Sequence, residues 1–327
     1  MRARLIAVVV LAASMLSTAK AGPITQDPCP GTASVQTWKQ LGNDTLENLL
    51  IDGSSLWISD QSADSIRRFS PDGTEAPAAK ELTGAGGPGG LAVGPDGLIY
   101  ANSGDSFQGA LLRTKEASVV RFSRDDPKGT VKVYAAGFNM ANGLAFAPNG
   151  DAYVSNDVDA GLIRIPRTHP SAWSVLDDVW GSNGLVVTRD GKTMYATITF
   201  DQRSPIERIS LPSGAHTTAF QLTIGVVSLK PAVYTNPDLS RPLLGVKGLD
   251  DMTSDGRYLY PVANGLGELL RVDPRTGAAC LIASGFPTSS SVRIAPESGP
   301  FADHDRGTID FYITRFTGQI MRVRYRP

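Results

Sequence analysis

The sequence predicts an all-β protein, a six-bladed β-propeller whose ring is closed by an N-terminal strand. Three observations lead there: a hairpin phrase that recurs along the chain, a spacing near 40 residues between most copies, and an arginine in register near the end of each copy's third strand. The phrase is clearest from Asn142 to Ser155. A polar residue and a small one precede an apolar alternating run, and Asn149-Gly150 then turns the chain into a second alternating run. Period-2 alternation on both sides of an Asn-Gly is the signature of a β-hairpin.

The copies follow in chain order. They are Glu47-Asn48-Leu49 with Asp52-Gly53, Gly89-Gly90-Leu91 with Asp96-Gly97, and Asn142-Gly143-Leu144. Then come Asn183-Gly184-Leu185 with Asp190-Gly191, and Asp250-Asp251-Met252 with Asp255-Gly256. A weaker sixth, Ser290-Ser291-Val292, carries an insertion in place of its turn. Third residues fall at 49, 91, 144, 185, 252 and 292, so the gaps are 42, 53, 41, 67 and 40. Each copy ends on a third strand with Arg68, Arg121, Arg164, Arg208, Arg271 or Arg322. Several short strands per unit at this period are what propeller blades require. The arginine column lies away from the inner-strand starts, which assigns it a bracing role within each blade.

The ends of the chain complete the ring. Arg2 and Arg4, an apolar run from Leu5 to Leu16, and Ala19-Lys20-Ala21 have the layout of a secretory signal peptide over residues 1–21, leaving one domain over 22–327. The expected location is outside the cytoplasm, extracellular or periplasmic. Blade six has no chain left for an outer strand, and the alternating segment from Ser34 to Leu41 is the candidate to supply it. Cys29 would then stand beside Cys280 in the outer strand of blade five, so one disulfide is expected, two buried thiols being the alternative. Two longer connections, 103–118 and 217–248, should overhang the face where inner strands begin.

Lys and Arg number 31 against 32 Asp and Glu, with no basic run, so neither nucleic acid nor an anionic membrane is an expected partner. A small-molecule substrate is, and the chain is expected to be a monomer. Inner strands line a central channel, so residues at their starts face one another. The first column reads Glu47, Gly89, Asn142, Asn183, Asp250, Ser290, and the next Asn48, Gly90, Gly143, Gly184, Asp251, Ser291. Carboxylates gathered without Lys, Arg or His at equivalent positions repel one another. A bound cation resolves this, and an all-oxygen carboxylate–amide set suits Ca²⁺, with Mg²⁺ or Mn²⁺ next. Taken singly, the same residues are ordinary turn formers.

The blade-one Glu before an apolar pair, the Asn-Gly-Leu of blades three and four, and the blade-five Asp-x-Met with its Asp-Gly turn resemble the SMP-30/gluconolactonase/luciferin-regenerating family, and more distantly paraoxonases and strictosidine synthases. The resemblance implies a channel ion held by Glu47, Asn183 and Asp250, with Asn142 on the metal, its water or the substrate. It also implies hydrolysis of lactones or esters, for which Asp250 or Asp251 is the candidate base. Ser290 and Phe107 are candidate substrate contacts. The chain departs from paraoxonases, whose His pair has no counterpart among His169, His216 and His304. Glu297, the nearest match to the strictosidine synthase Glu, lacks a supporting motif. Gly104-Asp105-Ser106-Phe107 is similar to the nucleophile block of GDSL-type hydrolases but lacks their later Asp-x-x-His and α/β setting. Two readings stand beside hydrolysis: a non-hydrolytic cyclase or isomerase, and a ligand-binding propeller with a structural calcium.

Overall fold

The computed structural model describes residues 26–76, 86–158, 160–201, 203–222, 248–303 and 305–327. The expected signal peptide, His304 and most of the 217–248 insertion lie outside the described residues. The described chain forms six four-stranded antiparallel sheets. Blade one is β2 (Leu46–Asp52), β3 (Ser55–Asp60), β4 (Ser65–Phe69) and β5 (Glu75–Ala76). Blade two is β6 (Pro88–Val93), β7 (Ile99–Ser103), β8 (Ala117–Phe122) and β9 (Lys132–Phe138). Blade three is β10 (Leu144–Phe146), β11 (Ala152–Val154), β12 (Ala160–Ile165) and β13 (Ser174–Trp180). Blade four is β14 (Ser182–Val187), β15 (Thr193–Ile198), β16 (Pro205–Ser210) and β17 (His216–Gln221). Blade five is β18 (Leu249–Ser254), β19 (Leu259–Ala263), β20 (Glu268–Val272) and β21 (Ala279–Ser284).

Blade six runs β22 (Ser289–Ile294), β23 (Ile309–Arg315) and β24 (Gln319–Arg326), and β1 (Thr32–Gln40) adds its outer strand. β1 pairs antiparallel with β24 from Thr32↔Arg326 to Gln40↔Gln319. This is the closure expected from the alternation in that segment. Just before it, Pro28 bridges Leu281 of β21, and Cys29 is disulfide-bonded to Cys280.

The alternating residues of each blade fill the seams between blades. Six buried apolar clusters form, one per seam: Tyr260 with Phe311 between blades five and six, Leu56 with Tyr312 between six and one, Trp57 with Phe122 between one and two, and so on round the ring. The arginine column faces an aromatic column across the ladder. Trp57 pairs with Arg68, Tyr100 with Arg121, Tyr153 with Arg164, Tyr195 with Arg208 and Tyr312 with Arg322. Several of these are cation–π contacts, with Arg68 4.9 Å from the Trp57 centroid and Arg208 5.7 Å from that of Tyr195. Planar guanidinium over a ring keeps charge partly solvated while its stem packs. The expected bracing role is what these contacts provide.

Candidate functional site

At one end of the channel the inner strands share a distortion. The β-ladder shifts register at Leu46/Asn48, Pro88/Leu91, Ser182/Leu185, Leu249/Met252 and Ser289/Ser291. A β-bulge adds one residue and re-aims side chains, so two consecutive residues can both point inward. This is why Glu47 with Asn48, Asp250 with Asp251, and Ser290 with Ser291 are all buried. Glycines permit the tight crossing: a Cβ on Gly143 would stand 2.2 Å from the Asn183 carbonyl, and one on Gly184 2.6 Å from the Asp251 Cα.

The ring backbone of blades two to five is held from the preceding blade. Ser59 Oγ donates to Gly89 O at 2.5 Å, Asn102 Nδ2 to Asn142 O at 2.8 Å, Ser155 Oγ to Asn183 O at 2.5 Å, and Thr197 Oγ1 to Asp250 O. Blade six holds blade one differently: Ser290 Oγ donates to Leu46 O at 2.6 Å and lies within hydrogen-bond distance of the Thr314 hydroxyl, at 2.9 Å. These residues carry a signal in the sequence that hairpin alternation alone does not single out. Each lies two residues after the aromatic that faces the arginine: Trp57-Ile58-Ser59, Tyr100-Ala101-Asn102, Tyr153-Val154-Ser155, Tyr195-Ala196-Thr197 and Tyr312-Ile313-Thr314.

Glu47, Asn142, Asn183 and Asp250 converge. Asn142 Nδ2 lies 3.4 Å from Glu47 Oε1, and Asn183 Nδ2 donates to Asp250 Oδ1 at 2.8 Å. Three further residues join them from the ends of second strands. Asp105 stands 3.3 Å from Asn142 Nδ2, Asp157 Oδ2 lies 3.3 Å from both Asn142 and Asn183, and Asn264 Nδ2 donates to Asp250 Oδ2 at 2.7 Å. Second strands run antiparallel to first strands, so their C-terminal ends return to the same mouth. Asp105 fills the place of the side chain that Gly89 lacks: a Cβ on Gly89 would lie 3.2 Å from the Asp105 Cβ.

Four carboxylates are thus buried together, and among the described residues no cationic side chain bonds to them. Burial, followed by the charges of Asp105, Asp250, Asp157 and Asp251, holds Glu47 well above the usual carboxylate range. Asp157 is raised well above it by burial and then by Asp105 and Asp250. Asp250 is raised by burial, against the hydrogen bonds of Asn264 and Asn183. Burial pushes Asp105 up to about 7 despite donors from Asn142 and Gln61.

Asp251 belongs to the layer beneath. Its Oδ2 accepts from Asn48 at 3.1 Å, from Arg293 Nη1 at 2.5 Å and from Ser291, and its Oδ1 accepts from the Met252 N–H at 2.8 Å. Arg293 Nη2 also reaches Asn48 Oδ1 at 3.1 Å. The channel therefore does hold a balancing cation, contrary to the reading of the equivalent positions alone. It lies two residues beyond the second column and serves Asp251, not the four acids above.

The donor set can be tested for a cation. No group of three or more His, Cys, Asp or Glu side chains among the described residues is arranged to hold one by itself, because amides stand between the acids. A mixed carboxylate–amide shell fits better. Asp157 Oδ1 is buried without a hydrogen-bond partner, and the two hydrogens of Asn142 Nδ2 face four oxygens at 3.3–3.4 Å. Excess acceptors around too few donors are what an oxygen-preferring cation satisfies.

Over the ring lies the 103–118 connection. It contains a short helix not read from the sequence, α1 (Phe107–Leu112), capped by Ser106 Oγ accepting from the Gly109 N–H. Phe107 meets Phe200, from the end of β15, edge to face at 5.6 Å between centroids. The contact joins the blade-two connection to the end of the second strand of blade four.

No protein-family model and no curated protein matches the chain. Solved structures do. A gluconolactonase from Xanthomonas campestris, 14% identical, aligns over 94% of this chain and 99% of its own with a TM-score of 0.61. A calcium-binding regucalcin from Agrobacterium tumefaciens, 12% identical, aligns over 92% and 96% with a TM-score of 0.62. A virginiamycin B lyase from Staphylococcus aureus, 14% identical, aligns over 89% and 99% with a TM-score of 0.55. The neighbours include the kinds of propeller that the sequence resemblance pointed to, and at these identities the likeness is one of fold.

Proposed function

We propose that the protein is a secreted, divalent-metal-dependent hydrolase of lactones or related esters. One observation carries the reading: four buried carboxylates and three amides converge at one channel mouth, and no cationic side chain among the described residues bonds to them. Glu47, Asn142, Asn183 and Asp250 are the residues that would hold the cation, Ca²⁺ first. Once bound, it would supply a Lewis acid for a carbonyl oxygen and lower the pKa of water. Asp105 is the proton acceptor. It enters from the connection after the second strand of blade two, outside the four proposed cation ligands, and Gln61 Nε2 fixes its Oδ2 at 2.7 Å. Asp251 does not suit that role, because the contacts to Arg293, Asn48, Ser291 and the Met252 N–H occupy both its oxygens. The Phe107–Phe200 pair restricts water on one side of the entrance, which strengthens electrostatic interactions inside it. The Cys29–Cys280 disulfide agrees with an oxidising compartment, and none of the described helices is long and apolar enough to cross a membrane.

The test is hydrolysis of a lactone panel by purified protein with added Ca²⁺, Mg²⁺ or Mn²⁺, with and without EDTA, and in ¹⁸O-labelled water. Hydrolysis predicts label in the product acid, loss of turnover in EDTA and in Asp250→Asn, and retained Ca²⁺ binding with loss of turnover in Asp105→Asn. Ring opening without label would indicate a lyase. Calcium binding without turnover of any lactone would leave a ligand-binding propeller.

A further inference from the structure

The other mouth of the channel has the opposite electrostatic character. It opens into a cavity of about 1180 Å³ that runs from the axis into the cleft between blades four and five. Such a volume accommodates a drug-sized organic molecule. Its inner wall is apolar, built from Leu50, Leu91, Leu144, Leu185 and Met252 of five inner strands. Its charged lining is four arginines, Arg189, Arg257, Arg275 and Arg293, against one carboxylate, Asp255. That carboxylate is already satisfied, with Oδ1 accepting from the Arg257 and Tyr258 N–H groups and Oδ2 from the Tyr260 hydroxyl, each at 2.7 Å.

The arginines differ in what they have left to give. Arg275 is tied to Asp273 at 3.1 Å. Arg257 lies over the Tyr258 ring, 4.8 Å from its centroid, and its guanidinium N–H groups have no acceptor among the described residues. Arg189 is exposed on the turn between β14 and β15. Arg293 lines the deep end; its two terminal nitrogens bond to Asp251 and Asn48, while its Nε has no acceptor among the described residues. The chain as a whole carries a formal charge of −1, so this is local segregation and not a general basic surface.

We propose that this funnel is a second binding site, distinct from the acid ring, that takes a small amphipathic anion: an apolar body carrying a carboxylate, sulfonate or phosphate. The leucines and Met252 would cover the body, and Arg257, Arg189 and the spare edge of Arg293 would meet the charge. The acid ring, where no cationic side chain among the described residues bonds to the four carboxyl groups, offers such an anion no partner.

The probe is 1-anilinonaphthalene-8-sulfonate, titrated by fluorescence into the full chain saturated with Ca²⁺. The neutral N-phenyl-1-naphthylamine is titrated in parallel. One saturable site is expected for the sulfonate and weaker binding for the neutral compound. Arg189→Glu/Arg257→Glu changes two exposed residues, and an unchanged melting temperature verifies folding. It should weaken the sulfonate about tenfold, as for reversing two partly screened charges. Leu112→Glu, 66% exposed on α1 at the acid mouth, should leave binding unchanged. The proposal is overturned by absence of saturable binding, by equal affinity for the neutral compound, or by binding that follows Leu112 and not the arginines. Lactone turnover is a separate readout, so either reading can fail alone.

Discussion

Removing metal should invert the ordinary pH dependence of stability. Glu47, Asp105, Asp157 and Asp250 hold protons in the folded, metal-free protein that the unfolded chain has already released. A raised carboxyl pKa therefore costs nothing while both states are protonated. The cost begins as pH rises past the ordinary carboxylate range and stops growing above the folded value. For Asp105 the window runs from the unperturbed 3.8 to about 7. At 1.36 kcal/mol per pKa unit, this one residue destabilises the metal-free fold by about 4 kcal/mol above neutrality. For a domain of this size that corresponds to roughly 6 °C in Tm. The assay is thermal unfolding in EDTA and in excess Ca²⁺ from about pH 5 to about pH 8. In EDTA the Tm should fall as pH rises, and Ca²⁺ should restore most of the loss at the alkaline end. A Tm in EDTA that is flat or rising over that range, and indifferent to Ca²⁺, would refute the argument that these acids share one uncompensated site.

Three other perturbations test the framework. Thr197→Val removes the donor to the Asp250 carbonyl and leaves that buried oxygen unmatched; about 1–3 kcal/mol of stability and part of the Ca²⁺ affinity should go with it, measured by urea unfolding and calorimetry. Gly143→Ala drives a Cβ against the Asn183 carbonyl, with overpacking of about 1–3 kcal/mol or more and a displaced Asn183 that weakens Ca²⁺ binding; an unaffected variant would show that the crossing has room for a methyl group. Cys29→Ser with Cys280→Ser opens a loop of sequence separation 251 and should cost roughly 2–5 kcal/mol, seen as a lower Tm that no longer responds to reductant.

The repeat was legible because two short-range signals, alternation and an Asp-Gly or Asn-Gly turn, recur in the same order, and β1 showed the same alternation without a partner of its own. The first column of the ring was legible for the same reason. The rest was hidden by geometry that simple alternation does not encode. Under strict alternation Glu47 and Asn48 point to opposite sides; the bulge turns both inward, so the second storey with Asp251 and Arg293 was not expected as a separate layer. Asp105, Asp157 and Asn264 follow second strands at slightly different offsets, and only the return of those strands to the same mouth brings them together. Helix α1 has six residues, too few for a 3.6-residue period to register.

The hydrogen bonds that tie ring backbone to the blade before it bear on modularity. Blades two to five do not fully specify the positions of their own ring residues: Ser155 of blade three fixes the backbone that presents Asn183, and Thr197 of blade four does so for Asp250. Exchanging one whole blade with another propeller would therefore leave its own residue poorly aimed and disturb the next. The transferable unit is the seam, the second strand of one blade with the first strand of its successor, and recombination cut at mid-blade should preserve a working mouth where cuts at blade boundaries would not.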